Sequence, residues 1–189
     1  MKKISKKKLI GLIASLAIAG SIGVSKYNRS HDFGGWIDED GDCQNTRQEV
    51  LIRDAEAPPT LSEDGCKVIK GLWNDPYTGE IFTNPKDLDI DHLVPLKNAY
   101  ISGADQWDKE KRVKYANYLG NDYHLIAVKA SENRKKSDKG PEKYLPPKKD
   151  YQCQYVSDWT KVKNEWKLSI NSEEAKTILK ICNQEVVNY

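Results

Sequence analysis

Hydrophobic and polar positions in the middle of the chain are spaced as expected for alternating strands and helices. Residues 89–95 (DIDHLVP) and 124–130 (HLIAVKA) are short apolar runs bounded by turn residues, which is typical of buried strands. Between them, residues 97–119 carry apolar positions at helical spacing, with an interruption at Ser102-Gly103. Ser131 is placed to cap a new helix after the second run. The pattern therefore predicts strand, helical connector, strand and helix.

Further elements are predicted on both sides of this unit. A capping box at Thr46 opens a short helix, and a pair of prolines ends it. Residues 66–73 and 81–82 are predicted to be strands joined by a turn. Two helices follow near the C-terminus, at residues 157–168 and 173–184. The predicted fold class is α+β: a single domain with a central strand–strand–helix unit, an extra β-hairpin and flanking helices.

The N-terminal segment has the pattern of an export signal. Five lysines are followed by an uncharged apolar run, residues 9–24. This run is shorter than the ~20 residues that span a membrane and close to the ~7–15 of a signal peptide. A signal peptide is predicted for residues 1–25, with an uncleaved membrane anchor as the alternative. Residues 26–37 are predicted to be a flexible tether, and residues 38–189 the folded domain.

The cysteines agree with export. There are four, all beyond the signal and none in a C-x-x-C pair, so a zinc knuckle is improbable. An even number of cysteines in an exported protein predicts two disulfides. Three pairings are open. The pairs Cys43–Cys66 and Cys153–Cys182 are favoured because each closes a local loop at one end of the chain.

The charge balance excludes one class of function. The formal net charge is +2, but five lysines lie in the predicted signal, so 25 basic residues face 28 acidic ones in the rest of the chain. A uniformly basic nucleic-acid binder is therefore excluded, but a local basic patch is not. Residues 129–149 form such a patch, with eight Lys or Arg against three acids.

Charged side chains interrupt the first apolar run. Asp91 and His92 lie between residues destined for a core, and buried charges need a partner or a metal. His124 opens the second strand, and Asn133 follows nine residues later, where a tight turn can bring it beside the first strand. Asp and Asn offer oxygen ligands that suit Mg²⁺, and a neutral histidine can take a proton from water. Together these groups can hydrolyse phosphodiesters.

The same residues resemble the HNH endonuclease superfamily with its ββα-metal finger. Its members carry an acidic residue and His on the first strand, His or Asn opening the second, and a third His or Asn nine residues on. Here the matching stretches are DIDHLVPL, HLIAVKASEN and ENRKKSDKGP. The resemblance to secreted HNH nucleases covers roughly residues 40–185 and includes CQNTRQEVL, GLWNDPYTGE, DHLVPLKNAYISGADQW and NRKKSDKGPEKYLPP. Departures are the His at the middle position, Tyr118 after the R-x-x-Y-A-N stretch, and Tyr144 where Trp is frequent.

The resemblance implies a role for each matching residue. His92 would be the general base, and Asp91 and Asn133 would hold a divalent metal, Mg²⁺ above all, with Mn²⁺ as an alternative. His124 and Asn133 are predicted to be catalytic together with His92, and His124 would pin the loop between the strands by hydrogen bonds or add a ligand. Lys136 stands where the family has a lysine that contacts phosphate. Arg134, Lys135 and Lys139 are also predicted to contact phosphate, because they flank Asn133 in the basic segment. Asp89 is predicted to form an ion pair with an arginine, with a role as an extra metal ligand left open.

The function predicted from these observations is a secreted or surface-held, metal-dependent endonuclease. It is expected to act without sequence preference, on DNA rather than RNA, as a monomer without a small-molecule cofactor. Contact with a membrane is expected only if the N-terminal segment stays uncleaved. One alternative is an extracellular DNA-binding protein without catalysis. Another is a zinc hydrolase using His92, His124 and Asp91, although no H-E-x-x-H helix presents such ligands.

Overall fold

The computed structural model of the protein describes residues 26–184. The predicted signal peptide or membrane anchor, residues 1–25, lies outside the described residues. Within the described part of the chain, no helix is long and apolar enough to cross a membrane. The helices and strands of this part are, in order, α1 Arg29–Phe33, α2 Thr46–Arg53, β1 Thr60–Leu61, β2 Val68–Lys70, β3 Trp73–Asn74, β4 Ile81–Phe82, β5 Leu88–His92, α3 Leu96–Ile101, α4 Lys109–Ala116, β6 Leu125–Lys129, α5 Ala130–Lys136, α6 Gln152–Glu165 and α7 Ser172–Gln184.

The strands form small antiparallel pairs, β1 with β2, β3 with β4, and β5 with β6. The β5–β6 pair is central and is covered by apolar side chains on both faces. Leu88 and Ile90 of β5 face a cluster that includes Leu51 of α2. Ile126 and Val128 of β6 belong to a larger core built with aromatic side chains of α4 and α6. Burial on both faces explains why the strand sequences are nearly continuous apolar runs.

Two carboxylates of β5 point to the face of the larger core. Asp89 pairs with Val128 and Asp91 pairs with Ile126, and directly paired residues lie on the same face of a sheet. Asp91 is only 3% exposed. The cost of burying this charge is met by partners from two other elements, the β3–β4 hairpin and α5.

Helix α5 begins directly after β6, so that the chain turns back across β5. Asn133 and Lys136 are separated by three residues and therefore lie on one face of the helix. Asn133 contacts Asp89, and Lys136 contacts Asp91. The predicted strand–strand–helix unit is thus present, and the α+β fold class is confirmed.

The turn of the β3–β4 hairpin supports the same unit. Asp75 accepts hydrogen bonds from the backbone N–H groups of Tyr77 and Thr78, which shape the turn, and from the backbone N–H of Lys129 at the end of β6. The turn places Tyr77 with its hydroxyl on Asp91. The predicted strand 66–73 is in fact two short strands, β2 pairing with β1 and β3 pairing with β4.

The disulfides of the structure join Cys43 to Cys66 and Cys153 to Cys182, which confirms the favoured pairing. The first links the loop before α2 to the loop before β2, and the second links α6 to α7. Because each closes a loop of moderate length, each restricts the unfolded chain and adds about 3 kcal/mol of stability in the entropic account.

Residues 26–37 differ from the predicted flexible tether. Asn28 caps α1 by accepting a hydrogen bond from the backbone N–H of His31, and Phe33 is completely buried in the larger core. Asn117, at the end of α4, donates to the carbonyl of Gly35. The segment is folded against α4 because burial of its aromatic side chains stabilises it by more than the conformational entropy that the chain loses.

Candidate active site

An open cleft of about 700 Å³ lies where β5, α5 and the N-terminal segment meet. Both carboxylates of β5 line it, as do His92 and Asn133, so the cleft gathers the predicted base and the predicted metal ligands. The other charged or aromatic residues that line it are Tyr27, Arg29, Trp36, Arg47, Lys97, Arg134 and Asp138.

His92 is held at the end of β5 in a defined protonation state. Its Nε2 lies 2.8 Å from the carbonyl oxygen of Ala116 at the end of α4. A carbonyl only accepts hydrogen bonds, so Nε2 carries the hydrogen and Nδ1 carries the lone pair. Burial lowers the pKa of His92 from 6.5 to about 3. The imidazole is therefore neutral at physiological pH and able to accept a proton.

The ring of Trp36 stacks on the imidazole of His92. The ring centroids are 5.2 Å apart, and the planes are nearly parallel, at 6°. The hydrogen bond to Ala116 fixes the ring in its plane, while the indole covers one of its faces. The sequence pattern does not predict this contact, because Trp36 lies in the predicted tether.

Asp91 is enclosed by two donors. Lys136 Nζ lies 2.8 Å from one carboxylate oxygen, and the hydroxyl of Tyr77 lies 2.5 Å from the other. Lys136 Nζ also donates to the carbonyl of His92, at 2.9 Å. Burial raises the pKa of the Asp91 carboxyl and lowers the pKa of the Lys136 ammonium, and the charge of each partner opposes the shift in the other.

The structure assigns Lys136 a different position from the predicted phosphate contact. Its side chain is fully buried, and its ammonium group is bound to Asp91 inside the protein. It serves as the counter-ion that allows a carboxylate to lie at the floor of the cleft. Lys135 and Lys139 are exposed and contact Glu132 and the carbonyl of Lys135, and neither is among the described residues that line the cleft.

Asn133 and Arg134 reach the cleft from α5. The amide nitrogen of Asn133 lies 3.3 Å from a carboxylate oxygen of Asp89. Arg134 Nε lies 3.4 Å from the same oxygen, so the predicted ion pair between Asp89 and an arginine is confirmed. Since Arg134 is largely exposed, this pair contributes little to stability and can open to admit a phosphate.

His124 does not line the cleft. Its Nε2 lies 2.8 Å from the carbonyl oxygen of Tyr115, and the ring is packed among the rings of Tyr115, Tyr118 and Trp166. Its Nδ1 is buried without a hydrogen-bond partner in the described chain. The two roles predicted for His124 were pinning the loop and adding a ligand, and these contacts correspond to the first.

The burial of His124 predicts a loss of stability in acid. Burial lowers its pKa from 6.5 to about 4, so below pH 6.5 the unfolded chain binds a proton that the folded chain does not. The stability that the buried neutral His124 contributes is fully present above pH 6.5. As the pH falls towards 4 this contribution is lost, and the free energy of unfolding decreases by about 3 kcal/mol. Urea unfolding across this range should show a shallower pH dependence for His124→Asn than for the wild type. An identical slope for the two proteins would contradict the buried neutral imidazole.

The oxygen donors at the cleft floor fit a divalent metal. The side-chain nitrogen of Asn133 donates to Asp89. The side-chain oxygen Oδ1 of Asn133 accepts no hydrogen bond from any described residue. Each carboxylate oxygen of Asp91 accepts one hydrogen bond, which leaves lone pairs for a cation. Asp91 and Asn133, with Asp89 beside them, would form the hard oxygen set that Mg²⁺ or Mn²⁺ prefers.

Several residues of the site were not found from the sequence, namely Tyr27, Arg29, Trp36 and Arg47, which line the cleft, and the buried Tyr77, which contacts Asp91. One signal was present for the first three. Residues 26–37 contain three large aromatic side chains, and such rings are seldom left in a solvated linker.

Comparisons with known proteins place the chain in a family. Residues 46–181 match the family of GmrSD restriction endonucleases, C-terminal domain. A protein of Arthroderma benhamiae, described as an uncharacterized secreted protein, is 42% identical over 152 residues, which are 80% of this chain and 72% of that protein. No solved structure matches the chain. The family match supports the HNH-type resemblance, and the chain belongs to the GmrSD restriction endonuclease C-terminal domain family of nuclease domains.

Proposed function

We propose that the protein is an extracellular, metal-dependent endonuclease that hydrolyses phosphodiester bonds with His92 as general base. One observation carries the proposal. A neutral imidazole, whose Nδ1 holds the lone pair, lies in a cleft beside the oxygen donors of Asp91 and Asn133. A protein that only binds DNA has no need of a base positioned in this way.

The reaction begins with a water molecule beside His92. The imidazole takes a proton from this water at Nδ1, and the water oxygen attacks phosphorus. The Nε2–H bond to Ala116 strengthens as the ring becomes positive, because a charged donor forms a stronger hydrogen bond. The bond from phosphorus to the 3′ oxygen breaks, this oxygen takes up a proton from solvent, and a 5′ phosphate remains, as in the HNH nucleases that the chain resembles.

A divalent cation bound by Asp91 and Asn133 would stabilise negative charge on the phosphate and on the leaving oxygen. Lys136 keeps Asp91 ionised for this purpose, and Tyr77 fixes the orientation of the carboxylate. Mg²⁺ is the proposed metal, with Mn²⁺ as a substitute.

Nucleic acid is proposed to be held through its backbone. Arg47, Lys97 and Arg134 line the cleft, and cationic contacts to phosphate give affinity without reading sequence. The exposed Lys135 of α5 and Lys139 in the turn after it extend this charge. DNA is the favoured substrate, and RNA is the comparison that the test must include.

Location outside the cytoplasm is proposed on three grounds. The two disulfides persist best in an oxidising compartment, the similar fungal protein is described as secreted, and the N-terminal pattern is that of an export signal. Release into the medium is proposed if the signal is cleaved, and attachment to the outer face of the membrane if it is not.

The test uses protein purified from a host that exports the full chain. Supercoiled plasmid and a structured RNA are incubated with Mg²⁺, with Mn²⁺ and with a chelator. We expect plasmid to be nicked and then linearised at many positions, only with metal present. Intact plasmid that is nevertheless bound would support a non-catalytic DNA-binding protein instead, and cutting stimulated by Zn²⁺ alone would point to a zinc hydrolase.

A further inference from the structure

The N-terminal arm, residues 27–36, lies outside the region 46–181 that matches the nuclease family, yet it forms one wall of the cleft. Three of its side chains line the cleft: Tyr27, Arg29 and Trp36. A segment that only connected a signal to a domain would have no reason to lie against the predicted base.

The arm is fastened to α4, the helix that also holds His92. Arg112 of α4 donates through Nε to the carbonyl of Asp32, at 3.1 Å. Asn117 donates to the carbonyl of Gly35, at 3.2 Å, and accepts from the backbone N–H of Ile37. The arm and the base therefore share one support, and their relative position is fixed by hydrogen bonds to that support.

Trp36 restricts the imidazole in the direction that the hydrogen bond leaves free. A single bond from Nε2 to Ala116 allows the ring of His92 to rock about that bond. The parallel indole, 5.2 Å away between centroids, blocks this motion on one side. Its electron-rich face also favours the imidazolium that forms when the base accepts a proton.

Arg29 differs from the other cations of the cleft. Arg47 donates to backbone carbonyls, Lys97 pairs with Asp138, and Arg134 pairs with Asp89. Among the described residues, nothing forms a hydrogen bond or ion pair with the guanidinium of Arg29, which is exposed. A free guanidinium beside the base is suited to bind a phosphate through two parallel hydrogen bonds.

We propose that the N-terminal arm is part of the catalytic cleft, with Trp36 as a positioning residue for His92 and Arg29 as a phosphate-binding residue for the nucleic-acid backbone. The inference rests on the proposed nuclease function. It assigns the two residues separable effects: Trp36 acts on turnover, and Arg29 acts on affinity.

The experiment compares Trp36→Ala, Trp36→Phe, Arg29→Ala and Arg29→Lys in the full exported chain, with Lys70→Ala as control. Lys70 is an exposed cation on β2, away from the cleft. Plasmid cleavage with Mg²⁺ gives kcat and KM. Fluorescence anisotropy of a labelled duplex in chelator gives affinity at several salt concentrations, and thermal unfolding shows that each variant is folded.

Trp36→Ala is expected to lower kcat by about 10- to 100-fold with affinity unchanged, because a misplaced base costs turnover rather than binding. Trp36→Phe should recover most of the loss, since a phenyl ring also covers the imidazole. Arg29→Ala should raise KM and Kd and reduce the salt slope of log Kd by about 1, as expected when one phosphate contact is removed. Arg29→Lys should retain part of the affinity, and Lys70→Ala should match the wild type.

The other outcomes separate the role of the arm from the nuclease function. If the wild type is active and the arm variants cut and bind as well as Lys70→Ala, this inference is overturned. The nuclease proposal then stays intact. A Trp36→Ala variant that loses kcat only in proportion to its folded fraction, without rescue by Trp36→Phe, would reduce Trp36 to a structural role. Wild type that neither cuts nor binds any nucleic acid would overturn both proposals. Wild type that binds without cutting, and loses affinity with Arg29→Ala, would support the phosphate contact and reject the nuclease.

Discussion

Replacing His92 with alanine is expected to lower kcat by about 10²–10⁴-fold, the usual contribution of a general base. Affinity for DNA should stay the same, because the neutral imidazole offers no charge to a phosphate. Alanine leaves Ala116 without its donor, so unfolding must be followed beside cleavage. The measurement is the initial rate of plasmid nicking at saturating Mg²⁺ for the wild type and the variant.

His31→Ala is the matched control for His92. His31 is exposed, and its ring contacts only the carboxylate of Asp32 among the described residues. Because its imidazole does not line the cleft, its removal should leave the cutting rate of the folded protein unchanged, and thermal unfolding measures any stability lost with the bond to the buried Asp32 carboxylate. A His92→Ala variant that folds and still cuts at the rate of His31→Ala would show that the proton is taken by another group.

Replacing Lys136 with methionine is expected to lower the free energy of unfolding by about 3–5 kcal/mol, because it leaves the carboxylate of Asp91 buried without its counter-ion. Both side chains are essentially inaccessible to solvent, so water cannot replace the lost contact. Methionine keeps most of the side-chain volume and isolates the effect of the charge. Urea unfolding at neutral pH measures the difference.

Two comparisons make this result specific. Lys135→Met removes the neighbouring exposed charge and should change stability by no more than about 0.5 kcal/mol. The double variant Asp91→Asn with Lys136→Met removes both charges and should recover much of the stability, although not the activity. If Lys136→Met instead leaves stability unchanged and weakens DNA binding, the ammonium faces a phosphate, as the sequence analysis expected.

The strand–helix unit was predictable because its signals are local. The apolar runs of β5 and β6 are confined to a few residues each, and α5 starts where β6 ends. When β5 and β6 pair side by side, the helix that directly follows β6 places Asn133 next to β5. The two disulfides were also predictable, since each joins cysteines close in sequence.

The rest depends on contacts between distant parts of the chain. A lysine in a basic run is expected at the surface, and Lys136 is buried only because Asp91, 45 residues earlier, needs a cation. The ring of Trp36 stacks on His92 because the end of α4 binds both the imidazole and the backbone next to Trp36. Composition and periodicity carry no information about such pairings, which become visible only when the elements are packed.

Helix α4 also constrains how a chain of this kind can change in evolution. The carbonyls of Tyr115 and Ala116, two consecutive residues, each accept a hydrogen bond from a histidine: His124, which directly precedes β6, and His92, which ends β5. One inserted residue rotates a helix by about 100°, so an insertion in this last turn would release both histidines at once. Substitutions of exposed side chains on α4 leave the two carbonyls in place, whereas insertions in its last turn do not.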